Sequence, residues 1–205
     1  MGAVNQTKTR TLFLAASASL VLLTGACSSD TDSSSPATTA SASTSASAEA
    51  ASAGTCPTAA PDSAATPEWT LAGDTGSIAV VGSTDTAAPA VTVEAPFSVA
   101  ETQVKTLTVG DGPVIADDAS VSVCYTGVNG RDGEIFDSSF ASGQPIDFPL
   151  NGVVAGFQKA IAGQTVGSTV AVAVTSADGY PSGQPQAGIE PGDSLIFAIS
   201  ILSAS

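Results

Sequence analysis

The stretch VSVCYTGVNGRDGEIFDSS, residues 121–139, is the part of the sequence that most directly decides the fold. In its first half, apolar residues alternate with smaller ones. Val121, Val123 and Tyr125 therefore share one face of a β-strand, and Cys124 lies on the other face. Asn-Gly and Asp-Gly pairs follow the strand and predict turns. The stretch thus predicts a half-buried strand that turns back into a second extended segment.

Short segments on both sides of this stretch indicate the rest of the architecture. A helix is predicted at residues 153–162, where Val154, Phe157 and Ile161 recur at helical spacing and Gly163 is suited to end the helix. Many short strands and one short helix favour an α+β fold, in which a curved antiparallel β-sheet wraps around the helix. The remaining strands are predicted at residues 77–81, 90–93, 104–109, 134–137, 145–148, 169–174 and 194–202.

The composition excludes several classes of function. The chain carries 19 Asp+Glu against 5 Lys+Arg, a net charge of -14, which argues against nucleic acid as a partner because phosphate binding needs a basic face. It has no histidine, which rules out a histidine-based catalytic triad, and its three cysteines are too few for a zinc site made of cysteines alone. We therefore expect no cofactor and no metal, and a chemistry that relies on pocket shape, hydroxyls, carboxylates and backbone amides.

The N-terminus has the features of an export signal. Basic residues precede an apolar segment at residues 11–23, which is too short for a comfortable membrane span. Gly25 and Ala26 then precede Cys27, which resembles a bacterial lipobox and predicts a lipid on Cys27 after removal of residues 1–26. The alternative is an ordinary secretory signal with an incidental cysteine. We expect an exported lipoprotein anchored to the outer face of the cytoplasmic membrane.

Domain boundaries are predicted from changes in composition along the chain. Residues 27–75 are rich in Ser, Thr and Ala, which predicts a disordered, flexible tether between the lipid and a folded part. Residues 76–205 are expected to form the folded domain. The sequence assigns no function to the beginning of this domain, residues 76–103.

Within the expected domain, short motifs occur in a recognisable order. They are GDG at 110–112, VxVxYTG at 121–127, DGxxFDSS at 132–139, PxxFxL at 145–150, VVxGF at 153–157, GY at 179–180, IxP at 189–191 and LxF at 195–197. By this order and spacing, residues 104–202 resemble the FKBP family of peptidyl-prolyl cis-trans isomerases. The resemblance implies an FKBP-like fold and the isomerisation of X-Pro peptide bonds.

The resemblance also implies an apolar pocket that holds proline. Tyr125, Phe136 and Phe197 would form its aromatic walls, and Phe157 would form its floor, where the family usually has tryptophan. The rest of the apolar lining would consist of Ile146, Phe148, Val153 and Ile189.

Three polar groups complete the implied site. The N–H of Val154 would hold a substrate carbonyl, the hydroxyl of Tyr180 would bind a second carbonyl, and Asp137 would polarise the twisting amide. Two nearby positions depart from the family pattern. Ser142 stands where an arginine often pairs with the pocket aspartate, and Pro181 follows the tyrosine where glycine is usual.

Two functions are consistent with these residues. The first is an isomerase that acts on unfolded or exported polypeptides that contain proline. The second is a binding module or chaperone that uses the same pocket with little turnover. Macrolides of the tacrolimus type are expected ligands of such a pocket. Rotation about an amide makes and breaks no bond, so the lack of histidine agrees with either function.

The two remaining cysteines leave two arrangements open. Cys124 lies on the strand face opposite Tyr125 and is not expected in the pocket, and Cys56 lies in the segment that leads into the domain. Outside the cell they could form a disulfide that ties this segment to the sheet. Alternatively, they remain two separate thiols.

Overall fold

The computed structural model describes residues 54–62 and 64–205. Within this part the chain forms nine β-strands and one α-helix, and none of the helices here qualifies as a membrane span. The predicted export signal, the predicted lipidation site Cys27 and the start of the tether lie outside the described residues. The elements are β1 (Trp69–Ala72), β2 (Thr75–Val81), β3 (Ala90–Ser98), β4 (Gln103–Thr108), β5 (Ser120–Asn129), β6 (Ile135–Ser138), β7 (Ile146–Pro149), α1 (Ala155–Ile161), β8 (Thr169–Val174) and β9 (Leu195–Ala204).

Strand β5 occupies a central position in the main sheet. The sheet is antiparallel with the order β4-β8-β9-β5-β6, and β7 also pairs with β5. Strand β9 pairs with one edge of β5, whereas two strands share the other edge: β7 pairs with residues 120–123 and β6 with residues 126–128. The chain between β6 and β7 therefore leaves the sheet beside Cys124 and Tyr125.

Helix α1 packs against one face of this sheet. Phe157, Ala160 and Ile161 of the helix are buried there with the apolar side chains of β5, β8 and β9. The helix comes close to β8 because residue 156 is glycine: a Cβ on Gly156 would lie only 2.2 Å from Cγ1 of Val174. The α+β arrangement expected from the sequence, an antiparallel sheet against one short helix, is confirmed.

The opposite face of the main sheet is covered by a second sheet. Strands β1, β2 and β3 form this three-stranded antiparallel sheet, whose Ile78, Val80 and Phe97 pack against the small side chains of Ala171 and Ala173 on β8. Alternate residues of β8 and β9 thus face two different cores, as the two-residue period of a strand requires. The N-terminal extension, to which the sequence assigned no function, buries the outer face of the main sheet.

The ordered part of the chain begins earlier than the sequence predicts. Trp69–Ala72 form β1, and Cys56 is buried and joined to Cys124 by a disulfide. The sequence predicted a flexible tether over residues 27–75 and a folded domain from residue 76. For the described residues before residue 76, this prediction is wrong. Their order depends on contacts distant in sequence, such as a disulfide across 68 residues, and local composition does not reveal such contacts.

Candidate functional site

An open cavity of about 350 Å³ lies where β5, β6, β7 and β9 meet the start of helix α1 and the loop after β8. This volume falls in the range of sites for small ligands, about 300–1,000 Å³. Gly152 and ten of the residues expected from the sequence line the cavity. The ten are Tyr125, Phe136, Asp137, Ile146, Phe148, Val153, Val154, Phe157, Tyr180 and Phe197.

Phe157 lies at the centre of the aromatic lining. Its ring is 5.2 Å from Phe197, 5.3 Å from Phe148 and 5.6 Å from Tyr125 between centroids, each with edge-to-face geometry. Such arrangements are favoured because the electropositive edge of one ring meets the electronegative face of another. Phe157 is also buried at 5% exposure, so it forms a fixed floor to which the other rings are packed.

A β-bulge in β6 places two consecutive side chains in the cavity. Asp137 pairs with Gly127 and Ile135 pairs with Val128, so Phe136 is an extra residue on β6. In a regular strand, neighbouring side chains would point to opposite faces, but a bulge re-aims one of them. Phe136 and Asp137 consequently both line the cavity, and Ile135 is left exposed outside it.

Gly127 makes room for the aromatic walls. A Cβ at this position would lie 2.6 Å from Cζ of Phe136 and 2.9 Å from Cε1 of Phe197. These two rings lie 5.7 Å apart and meet edge to face. Any side chain at Gly127 would therefore displace a wall of the pocket, which explains a glycine in the interior of a strand.

Tyr125 and Asp137 form the polar contact of the cavity. The Tyr125 hydroxyl donates a hydrogen bond to Oδ2 of Asp137. Burial raises the pKa of Tyr125 well above its ordinary value, and the hydrogen bond and negative charge of Asp137 raise this pKa further. The phenol therefore stays protonated at neutral pH and holds the carboxylate in place.

Ser142 does not take over the role of the arginine that is usual in the family pattern. Its hydroxyl donates to the carbonyl oxygen of Ser139 at 2.9 Å, within the turn that follows β6. Asp137 is instead oriented by the Tyr125 hydroxyl, which belongs to the neighbouring strand β5.

The start of helix α1 presents a backbone donor to the cavity. The helix was predicted to begin at Val153, but Val153 and Val154 have extended backbone conformations and the helix begins at Ala155. Because both valines precede the first helical turn, their side chains line the cavity. The N–H of Val154 has no acceptor among the described residues and is available to a ligand.

The loop after β8 brings Tyr180 to the cavity. The N–H of Gly179 donates to the Thr175 carbonyl at 3.0 Å, and the N–H of Gly183 donates to the Tyr180 carbonyl at 2.9 Å. The loop is therefore fastened on both sides of Pro181. Within the part of the chain that the structure describes, the Tyr180 hydroxyl has no protein partner and can bind a ligand.

Ile189 lies outside the lining, contrary to expectation. Its side chain is 2% exposed and belongs to the core beneath the pocket. Its N–H and carbonyl both pair with Gln184, which turns the side chain inward. The sequence also missed Gly152, which lines the cavity, and the steric role of Gly127; a glycine inside a strand was the available signal for the latter.

The chain is similar to several known proteins. A family model described as FKBP-type peptidyl-prolyl cis-trans isomerase matches residues 101–202. A protein of Corynebacterium glutamicum named "Probable FK506-binding protein" is 38% identical over 99 residues, which cover 47% of this chain and 80% of that protein. The FKBP-type 22 kDa peptidyl-prolyl cis-trans isomerase of Escherichia coli is 35% identical over 100 residues, 49% of this chain and 48% of that protein.

Solved structures also resemble the chain over part of its length. The crystal structure of a peptidyl-prolyl cis-trans isomerase from Pseudomonas syringae pv. tomato has 30% sequence identity and a TM-score of 0.46. The likeness covers 51% of this chain and 75% of that one. The match to the family model begins at residue 101, so the sheet formed by β1, β2 and β3 precedes the matched region.

Proposed function

The chain belongs to the family of FKBP-type peptidyl-prolyl cis-trans isomerases, and from this premise we propose that it isomerises X-Pro bonds in unfolded, exported polypeptides. The observation that carries the proposal is the aromatic cavity. It combines an apolar lining with one oriented carboxylate and with two polar groups that have no partner among the residues the structure describes. A proline ring suits the apolar lining, and the carbonyls on either side of it suit the donors.

The apolar walls favour the twisted amide over the planar one. Amide resonance imposes a barrier of about 18–20 kcal/mol to rotation, and uncatalysed X-Pro exchange takes about tens to hundreds of seconds. Twisting removes resonance, which lowers the negative charge on the carbonyl oxygen. Because the dry aromatic surface of Phe136, Phe157 and Phe197 solvates charge poorly, it stabilises the transition state relative to the ground state.

The polar groups hold the substrate in the twisted geometry. The N–H of Val154, which has no acceptor among the described residues, donates to one substrate carbonyl, and the Tyr180 hydroxyl donates to a second. Asp137, held by Tyr125, faces the carbonyl that rotates, and its negative charge disfavours the resonance form that has negative charge on the carbonyl oxygen. Each tenfold gain in rate needs only about 1.4 kcal/mol of selective stabilisation, so a few well-placed contacts are sufficient.

A refolding assay tests this proposal. A model protein whose refolding is limited by an X-Pro bond is refolded with and without the purified chain. We expect acceleration that is proportional to the amount of chain and is reduced in the Tyr180→Phe variant, which lacks one donor. The alternative function, a proline-peptide binder or chaperone with little turnover, predicts peptide binding without acceleration even at high protein concentration.

Macrolides of the tacrolimus type provide a second test of the pocket. Four of the similar proteins bear FK506-binding names, and the cavity of this chain combines apolar walls with groups that can donate to carbonyls. We propose that such a macrolide fills the cavity and quenches catalysis. Binding that persists undiminished after Phe157→Ala, in a variant that remains folded, would place the macrolide elsewhere.

Export and anchoring form a separate part of the proposal. We propose that Cys27 carries a lipid and holds the enzyme on the outer face of the cytoplasmic membrane, where newly exported polypeptides fold. The support is the apolar segment followed by small residues and cysteine. Metabolic labelling with palmitate should mark the wild-type chain and not Cys27→Ala. Labelling that survives this substitution would rule out the anchor and leave the pocket unaffected.

A further inference from the structure

The Cys56–Cys124 disulfide lies directly behind the wall of the pocket. Cys124 immediately precedes Tyr125 on β5, and its side chain points away from the pocket into a small buried cluster with Cys56 and Phe140. The two cysteines are 3% and 0% exposed. The disulfide thus joins the N-terminal segment to β5 at the residue directly before the pocket residue Tyr125.

The same disulfide contacts the turn that follows β6. The N–H of Cys56 donates to the carbonyl of Gly143 at 3.1 Å. Sγ of Cys56 lies 3.7 Å from Oγ of Ser139, which is buried at 4% exposure. Cys56 therefore contacts both ends of the turn at residues 139–143, which is here named the wall turn.

Ser139 connects the wall turn to Tyr125. The backbone N–H of Tyr125 donates to Oγ of Ser139 at 2.9 Å, and the N–H of Ser139 donates to the carbonyl of Tyr125 at 3.0 Å. This reciprocal pair fixes the separation between β5 and the end of β6. Asp137 lies two residues before Ser139 on that strand, and its carboxylate accepts the Tyr125 hydroxyl.

These contacts form a closed circuit of covalent and hydrogen bonds. It runs from Cys56 through the disulfide to Cys124 and Tyr125, then through Ser139 and the wall turn back to Cys56. We propose that the Cys56–Cys124 disulfide positions the Tyr125–Asp137 pair by holding the wall turn against β5. The disulfide is then a positioning element of the isomerase pocket as well as a covalent link to the N-terminal segment.

A purely stabilising disulfide would behave differently. A cross-link stabilises a protein mainly by restricting the unfolded chain, and such an effect leaves the pocket of the folded protein unchanged. A positioning disulfide alters the folded pocket when it is removed. The discriminating quantities are therefore the ionisation of Tyr125 and the turnover of folded protein.

The test compares Cys56→Ala/Cys124→Ala with the control Val80→Ala. Val80 is fully buried between the two sheets, outside the cavity lining, so its truncation lowers stability without touching the wall turn. For titration, all chains carry Tyr180→Phe, which leaves Tyr125 as the only tyrosine because the sequence has two. Tyrosinate absorbance is followed against pH while circular dichroism verifies that each chain stays folded.

We expect Tyr125 to ionise at lower pH in the double cysteine variant than in its parent, because a loosened Asp137 no longer holds the phenol proton. The Val80→Ala control should ionise as the parent does. In chains that retain Tyr180, kcat/KM should fall about tenfold in the double cysteine variant, chiefly through kcat, since misplaced groups lose transition-state contacts. The control should keep the wild-type value at temperatures where it is folded.

Ser139→Ala provides a second route to the same answer with the disulfide intact. It removes the acceptor of the Tyr125 N–H and should lower the ionisation pH of Tyr125 in the same direction. This variant decides the question if the cysteine variant does not fold. If the folded variants keep the Tyr125 ionisation pH and the kcat/KM of their parent chains, the proposal is wrong. The inference about turnover rests on the proposed isomerase function, whereas the titration does not: an inactive wild type would refute that function and leave the positioning test valid.

Discussion

At the residue scale, the site depends on an oriented carboxylate in an apolar cavity. Asp137 is placed there by the bulge in β6 and is held by the Tyr125 hydroxyl. The resemblance in sequence implied both residues but not the contact between them. The contact depends on the extra residue Phe136 in the strand pairing, and an alternation pattern alone does not show a bulge.

Asp137→Asn tests this carboxylate. Removal of its charge leaves the shape of the pocket but takes away the negative charge that disfavours amide resonance, and hydrogen bonds to charged groups are worth about 1.5–3 kcal/mol. We expect kcat/KM for an X-Pro peptide to fall at least about tenfold, the equivalent of about 1.4 kcal/mol.

Asp147→Asn is the matched control for this change. Asp147 is exposed on the neighbouring strand β7, opposite Ser122, and does not line the cavity. The substitution Asp147→Asn removes one negative charge from the same sheet, as Asp137→Asn does, and should leave kcat/KM unchanged. Equal losses in the two variants would indicate an effect of overall charge and would contradict a specific role for Asp137.

At the element scale, helix α1 positions the pocket floor. The sequence predicted its end correctly, since Gly163 follows the last turn with a φ of 78°, a conformation that favours glycine. It placed the start too early, because Val153 and Val154 continue the apolar pattern while their backbone is extended. An apolar pattern indicates which residues avoid water and does not by itself indicate a helix. These two valines are apolar because they line the cavity.

Gly156→Ala tests the close approach of helix α1 to β8. The added Cβ would lie 2.2 Å from Cγ1 of Val174, so the helix must move outward and take Phe157 with it. Overpacking of this kind costs about 1–3 kcal/mol, measurable by urea denaturation. The penalty should be smaller in a Val174→Ala background, which removes the clashing atoms. Strict additivity of the two substitutions would show that no steric contact links them.

Asp178 ties helix α1 to the loop after β8. Its carboxylate accepts from Lys159 Nζ at 2.7 Å and from the Thr102 hydroxyl at 2.5 Å, and these bonds lower the pKa of Asp178 in the folded state. The unfolded value is about 3.9. Because the pKa of Asp178 is lower in the folded than in the unfolded chain, its ionised carboxylate stabilises the fold fully at pH values above the unfolded pKa. This stabilisation is lost as the pH falls through the folded pKa and the carboxylate becomes protonated.

We therefore expect the difference in Tm between wild type and Asp178→Asn to be largest near neutral pH and to shrink below about pH 4. Thermal denaturation across this range measures it. A difference that stays constant with pH would show that the carboxylate is not ionised in the interaction. High salt should also reduce the difference, because the Lys159 side chain is 56% exposed.

At the scale of the whole molecule, the isomerase fold carries an added sheet on its outer face. The sequence predicted the strands of the main sheet well, because each has its own local alternation. It missed β1, which follows from strand pairing with β2. It left open whether a disulfide ties the segment around Cys56 to the sheet, and the structure has this disulfide. It also could not show that the small Ala171 and Ala173 permit the second sheet to pack closely.

Ile78→Ala tests whether the added sheet acts on stability independently of the pocket. Ile78 is 2% exposed between the two sheets, and such a truncation costs about 2–5 kcal/mol. Chemical denaturation should show this loss. Because Ile78 is absent from the cavity lining, kcat/KM of the folded protein should match that of wild type. A fall in kcat/KM at temperatures where the variant is folded would show that the added sheet and the pocket are coupled.

The proposed function requires that the cavity lined by Tyr125, Phe157 and Phe197 catalyses rotation about X-Pro bonds. Exchange NMR on a short X-Pro peptide measures the cis–trans interconversion directly, without a folding client. We expect catalytic amounts of the chain to accelerate exchange, and we expect a tacrolimus-type macrolide or Asp137→Asn to suppress the acceleration. An exchange rate unchanged by the chain, or an acceleration that neither intervention reduces, would contradict it.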